Sequence, residues 1–526
     1  MVGVTDVEQL TQRVEELAAT VERIKFERDE YHKLYLAMLE RNRMLERGLL
    51  GAKTERLPRD EQLALSVLGM MLPGGAPLDE ALPEAQDVKP HTRRKPTGRK
   101  TLPEHLPRRE ELLLPREVER EGIEVFDKIG EEITEVLERR PSSAIVVRFI
   151  KPKFVRKDRE RGGETVVYVA ATPTQPIVRC LAGPGMLADS IVKRWDDHLP
   201  LNRLERVYER DGLALPRSTV CGWHIALAEL AQPIVDAMRL DAFEQPYLCT
   251  DATGVLVQAK ERCRTGHFWV MVAPERHVLF EFTSKHDSAA VDSILAGYEG
   301  YLVADAHAVY DHLYRDGPVT EVNCWAHVRR YFFQSMSSDP GRARVALGLI
   351  NALFRVERSI ADAPNKKREK IRKKHSAPVV ERFFSWCEAE RDRVLDDTPV
   401  SKGIRYALNQ RDGLCRFLKD GRLPLHNNMS ELQLRRQAVG RKNWLFIGSE
   451  DGAVANTTFV SLLASCRLHD IEPWSYLRDI FCLLPDWPRH RMLELAPLNW
   501  KTTAQLEDVV EMLATNPYRA ATLTDA

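Results

Sequence analysis

The sequence predicts a multidomain α+β protein, and three observations carry that prediction. Residues 7–45 keep a heptad of apolar positions. Residues 247–284 hold three apolar strands at close spacing, followed by alternating helix and strand. A chain of 526 residues exceeds what one core usually holds and points to about three to five domains. The expected order starts with a coiled-coil oligomerisation helix (1–56), a basic linker (57–115) and a small β domain (116–182). A helical, helix-turn-helix-like region follows (183–240). A mixed β-sheet domain then occupies 241–335 and 421–470, split by a helical insertion (336–420), before a short helical C-terminal domain (471–526).

The N-terminal helix is the most regular element. Val7, Leu10, Val14, Leu17, Val21 and Ile24 alternate spacings of three and four, with β-branched residues at a and Leu or Ile at d. That combination favours a parallel two-stranded coiled coil. Arg28 and Asn42 are polar a residues, and Tyr31, Tyr35, Met38 and Leu45 continue the seam. Self-association through residues 5–47 is the expectation, against a helix packed on its own protein.

Residues 73–109 are rich in Pro, Gly and charge and lack apolar periodicity, which reads as a linker with a basic arm at 93–109. In the small β domain, AIVVRFIKPKFVRK and ETVVYVAA flank a turn at Gly162–Gly163, with positive charge grouped at 148–161. Further on, LNRLERVYERDGLALPRSTVCGWHIALAEL reads as a helix, a break at Asp211–Gly212, and a second helix opening at Pro216 with Ser218 as its cap. A short Gly-containing turn between helices fits a helix-turn-helix, which makes Arg217 a candidate DNA contact.

From Tyr247 the strands YLCTDATGVLVQ, GHFWVMVA and HVLFEFTS form an antiparallel meander, and YLVADAH supplies a fourth strand. Asp251 interrupts the first and Asp305 ends the fourth. An isolated acid at a strand end is usually a turn residue or cap. Two on strands that can be neighbours suggest a shared site, which is costly unless a cation sits between them. Glu431 lies downstream in LPLHNNMSELQLRRQAVGRKNWLFIGSEDGA, followed by Arg435, Arg436, Arg441 and Lys442. It is either an i,i+4 partner of Arg435 or an acid that holds metal while the bases hold phosphate. The basic run 366–374 in the insertion reads equally as a DNA contact or a solvated helix. Cys324 and His327 form a C-x2-H pair with no second pair at zinc spacing nearby, so a structural element is preferred to a metal site.

Composition narrows the class. Seventy-seven Lys plus Arg balance seventy-seven Asp plus Glu, so nucleic-acid binding has to come from local stripes and not from a basic average. Nine scattered cysteines without a CxxC argue for reduced thiols. No secretory signal and no apolar run near the roughly 18 residues of a membrane span are visible, so a cytoplasmic protein is expected.

The stretches TDATGVLVQ, YLVADAH, NCWAHVRRYF, HNNMSELQLRRQAVGRKNWLFIGSEDGA and IEPWSYLRDIF resemble those of the insertion-sequence 66 transposases. The order of segments is similar too. The resemblance implies a ribonuclease-H-like catalytic domain with a DDE triad, carried residue by residue onto Asp251, Asp305 and Glu431. It implies two-metal-ion phosphoryl transfer with Mg²⁺, Mn²⁺ being the alternative. The partners implied are double-stranded DNA, as element ends and as target, and accessory proteins of the same element. In that family the small β-segment often carries paired cysteines; here it has none, and zinc is not expected. The alternatives are a catalytically inactive DNA-binding regulator or assembly protein, and a nuclease that only cuts.

Overall fold

The computed structural model describes residues 4–50 and 174–523, apart from 211, 212 and 261, together with short strands at 153–154 and 168–169. The expected linker at 57–115, its basic arm, and most of the small β domain with its charge cluster at 148–161 lie outside the described residues. Of that domain, β1 (Lys153–Phe154) pairs antiparallel with β2 (Tyr168–Val169).

A single helix runs over Val4–Leu50, in a stretch that no Pro or Gly interrupts from Thr5 to Arg47. Its seam residues Val14, Leu17, Val21, Ile24, Tyr31, Tyr35 and Met38 are exposed. Ion pairs such as Arg13–Glu16 and Lys25–Glu22 support the helix along its surface, each contributing about 0.2–0.5 kcal/mol.

The centre of the molecule is a five-stranded mixed sheet in the order β5-β4-β3-β6-β7. β3 (Tyr247–Val257), β4 (Arg264–Ala273) and β5 (His277–Thr283) form the expected antiparallel meander. β6 (Gly300–Ala304) and β7 (Val319–Asn323) then run parallel to β3. Helix Ser288–Leu295, capped by the Asp287 carboxylate on the Ala290 N–H (3.0 Å), provides the crossover to β6.

The outer edge, β5, is closed by side chains. Helix Glu450–Leu468 lies against it, and the Ser461 and Ser465 hydroxyls accept from the N–H groups of Phe280 (2.7 Å) and Val278 (3.0 Å). Covering unpaired backbone in this way removes a template for edge-to-edge aggregation.

Helices Leu201–Arg210 and Arg217–Phe243 stand where a helix-turn-helix is expected. The cap differs from expectation: Pro216, extended at φ −59° and ψ 139°, takes the cap position and no side chain caps the helix, so Ser218 falls in the first turn. One face of the second helix, from Val220 and Trp223 through Ile234 to Ala242, is buried against helix Glu450–Leu468. Its first turn, Arg217–Thr219, is exposed, as are Gly222, Glu229, Asp236 and Leu240 on the opposite face.

The insertion is helical, with Pro340–Ser359, Asn365–Ile371, Ala377–Arg391 and Pro399–Asn409 as its main elements. It is docked by Trp325, whose ring packs edge-on against Phe383 and whose indole N–H donates to the Leu414 carbonyl (2.9 Å). The basic run 366–374 is not one solvated stripe. Arg372 is fully buried, bridging both Glu357 oxygens (2.7 and 2.8 Å) and the carbonyls of Phe417, Asp420 and Leu423.

The main apolar core draws on residues from Ala182 to Leu513. The five segments expected between 183 and 526 therefore share their packing. Among the described residues no helix is long and apolar enough to cross a membrane.

Candidate active site

The sheet register brings the two aspartates together. β3 and β6 are parallel neighbours, with Cys249 opposite Val303. Two residues further along each strand stand Asp251 and Asp305. An even step returns each side chain to the face its partner occupies, and neighbouring strands lie about 4.8 Å apart. Both carboxylates therefore emerge side by side where the parallel pairing stops, Asp251 within β3 and Asp305 just past the C-terminal end of β6, a place where open α/β sheets bind ligands.

Asp251 bears the cost of that placement. Burial pushes its carboxyl up to about 7, the charges of Asp305 and Glu431 push the same way, and Arg330 opposes them. The Ala252 N–H donates to Asp251 Oδ1 (2.7 Å) and lowers the value in part.

Glu431 reaches the site from helix Asn428–Trp444, in whose first turn a carboxylate is favoured by the helix dipole. Asn427 fixes the start of that helix. Its side-chain amide donates to the Thr250 carbonyl (2.7 Å), next to Asp251, and its backbone N–H donates to Cys324 Sγ (3.2 Å). Ser430 Oγ closes the turn onto the Asn427 carbonyl (2.9 Å). Glu431 Oε1 lies 3.5 Å from His327 Nε2 and 3.6 Å from Arg330 Nη2. Thus Cys324 and His327 both face the Glu431 helix, one holding its backbone and the other its carboxylate.

Three further groups wall the site and were not apparent in the sequence. Tyr310, buried, takes a hydrogen bond from the Thr250 side chain and senses both aspartates. His286 stacks flat on Trp269 (4.8 Å, 7°) and meets His307 edge-on (4.7 Å) beside Asp305. Arg330 escapes a sequence reading because nothing in its own helix marks it. Only the fold turns it toward Glu431.

The donor set suits a hard divalent cation: three carboxylates, one of them raised to about 7 by burial and like charge. As placed, Glu431 is turned to His327 and Arg330, and among the described residues no group of three His, Cys, Asp or Glu is disposed to hold a metal. Glu431 would have to leave Arg330 to join the aspartates.

Residues 179–455, which contain all three acids, match the family model described as Transposase IS66 family. The chain belongs to that family. Residues 461–498 match the IS66 C-terminal element, and 37–110 match a model described as Transposase C of IS166 homeodomain. The last takes in most of the stretch read from sequence as a basic linker. Uncharacterized protein y4hP of Sinorhizobium fredii (strain NBRC 101917 / NGR234) is 30% identical over 489 residues, 87% of each chain. Uncharacterized proteins y4qI and y4jD of the same strain are 28% and 25% identical, covering 88% and 76% of this chain and 88% and 81% of their own.

Within this chain the candidate DNA-binding bases divide. Arg435 and Lys442 are exposed, as is Arg217. Arg436 instead pairs with buried Asp196 (2.9 Å), which also binds Arg467, and Arg441 donates to the Gly254 carbonyl. Both are occupied by partners within the fold, since polar groups withdrawn from water need hydrogen-bond partners. Their tasks in the fold lie far away in sequence and leave no local signal.

Proposed function

We propose that the protein is a DNA transposase that binds the ends of an insertion sequence, cleaves them and joins the 3′-hydroxyls to target DNA. The sheet, an antiparallel meander extended by two parallel strands, supports a ribonuclease-H-like reading of the catalytic domain. The observation that carries the proposal is the β3–β6 register, which sets Asp251 beside Asp305 within reach of the charge of Glu431.

Asp251, Asp305 and Glu431 would hold Mg²⁺ or Mn²⁺. When bound, the cation supplies Lewis acidity toward phosphate and an acidified nucleophile. The protein's own residues do the rest. Asp251 gives up its proton to share its carboxylate. Asn427 keeps the Glu431 helix against β3. Arg330 sits where it can turn from Glu431 to a phosphate oxygen, and Arg435 and Lys442 offset backbone charge. Affinity should fall steeply with salt despite the neutral chain. Incubating the protein with element-end DNA and a plasmid separates this reading from its rivals. Joined product supports it, while binding alone or cutting alone supports a regulator or a nuclease.

A pH signature follows from Asp251. Its folded carboxyl is raised, to about 7 from 3.8, so without metal the folded state keeps a proton that the unfolded chain releases. The group's contribution to stability is therefore lost as pH rises from about 4 to about 7. Asp251→Asn should raise the Tm of metal-free protein at pH 8, read by calorimetry. A lowered Tm would contradict the assignment. Divalent affinity, read by titration calorimetry, should weaken about tenfold for each pH unit below 7 as the proton competes.

The exposed seam of helix Val4–Leu50 supports pairing with a second copy. The double variant Leu17→Lys, Ile24→Lys should convert the dimer to monomer in light scattering. An unchanged mass would refute pairing through this helix.

A further inference from the structure

The helix that begins beside Glu431 ends in a turn that the proposed reaction does not use. Leu445 sits at φ +61° and ψ −48°, and the Phe446 N–H donates to the Trp444 carbonyl (2.7 Å). This is a γ-turn of the rare, strained kind, costing of order 1–3 kcal/mol for a residue with a Cβ.

Packing on both sides enforces the turn. Trp444 and Ile447 are buried in a small second core with Val255, Val257, Phe268 and Ala453. Ile447 is also tied to the end of β3, donating to the Leu256 carbonyl (2.8 Å) and accepting from the Gln258 N–H (2.7 Å). With their neighbours anchored, Leu445 and Phe446 are turned outward, 66% and 42% exposed.

The surroundings are cationic. Lys442 lies one turn back on the same helix and is exposed. Lys260, Arg262 and Arg264 are exposed in the β3–β4 connection that follows Gln258, and Arg264 is paired with Glu450. Along the same helix face, at spacings of three and four, come exposed Leu432, Arg435 and Val439. Glu261, Glu450 and Asp451 are the acids in these segments. An apolar tip collared by bases, on the helix that carries Glu431, is complementary to a polyanion with an apolar interior.

We propose that Leu445 and Phe446 form a wedge that enters the base stack of duplex DNA, while Lys442 and the β3–β4 bases hold the flanking phosphates. The proposal rests on the DNA reading above. Inserted apolar side chains unstack a base step for a few kcal/mol and kink the duplex. A pre-strained, anchored turn gives this wedge rigidity, because neither side chain can fold back into its own core. Opening the duplex here would give a strand end freedom to approach Asp251 and Asp305.

The test uses full-length protein and a set of element-end duplexes carrying 2-aminopurine at successive positions. One position should brighten severalfold on binding. Phe446→Ala should lose that signal, and Phe446→Tyr should keep it. Leu445→Gly should weaken it while raising the Tm, because glycine accepts this φ without strain. DNA bound with no base brightened, or an unchanged signal in Phe446→Ala, overturns the wedge and leaves the transposase reading standing. A change in oligomeric mass in Phe446→Ala with unaltered brightening assigns the tip to a second copy and also overturns it. Absence of DNA binding by the wild-type protein removes the DNA reading itself.

Discussion

Asp251→Asn, Asp305→Asn and Glu431→Gln should each lower end cleavage and strand transfer by about three orders of magnitude or more, about 4 kcal/mol of transition-state stabilisation, with DNA binding nearly unchanged. The reason lies in placement. The β3–β6 register sets Asp251, within β3, beside Asp305, just past β6, and Glu431 enters from a helix whose start is fastened to Thr250 and Cys324 by Asn427. An amide matches the carboxylate in shape, so hydrogen bonds and packing survive while the charge that would hold a cation is lost. The check is a cleavage and joining assay at pH 8, with binding followed separately by gel shift. If binding falls in parallel with chemistry, the residues position DNA and the catalytic assignment fails.

Arg372→Ala should destabilise the protein by about 3–5 kcal/mol, the cost of breaking a buried ion pair from one side, since Glu357 keeps only the longer contact to Arg368 (3.8 Å). The Arg372 guanidinium joins Glu357 on one insertion helix to three carbonyls at 417, 420 and 423. It thereby clamps the chain leading into the Glu431 helix. Losing it also leaves those three acceptors short of donors. Pairing Arg372→Met with Glu357→Leu should recover most of the loss, since apolar replacement of a whole buried pair is often close to neutral. Chemical denaturation of the single and double variants measures this. Equal destabilisation in both would mean that packing, and not the ion pair, carries the effect.

The sequence made the sheet legible because its strands are apolar runs broken by short turns, and because Asp251 interrupts the first of those runs and Asp305 ends the fourth. The N-terminal helix was legible from its heptad. Glu431 was not distinguishable from a helix-surface acid by its own surroundings. It stood out through the words around it, and the fold then placed it within electrostatic reach of Asp251. What stayed hidden depends on long-range packing. Arg372 sits in a run of lysines that looks solvated, yet the insertion folds over it. Arg436 finds its partner, Asp196, 240 residues away. The exposed, strained tip at Leu445–Phe446 could not be foreseen, because an apolar pair after a helix normally signals a core contact.

The central claim is that three carboxylates perform metal-assisted phosphoryl transfer on DNA. Asp305→Cys tests it most directly, by the yield of joined product in Mg²⁺, in Mn²⁺ and in chelator, beside the wild-type protein. A thiolate is a poor ligand for Mg²⁺ and a better one for softer ions. The wild type should join DNA with either ion and not in chelator, and the variant should be inactive with Mg²⁺ and partly restored by Mn²⁺. Joining by the wild type in chelator, or undiminished Mg²⁺ activity in Asp305→Cys, would contradict the assignment.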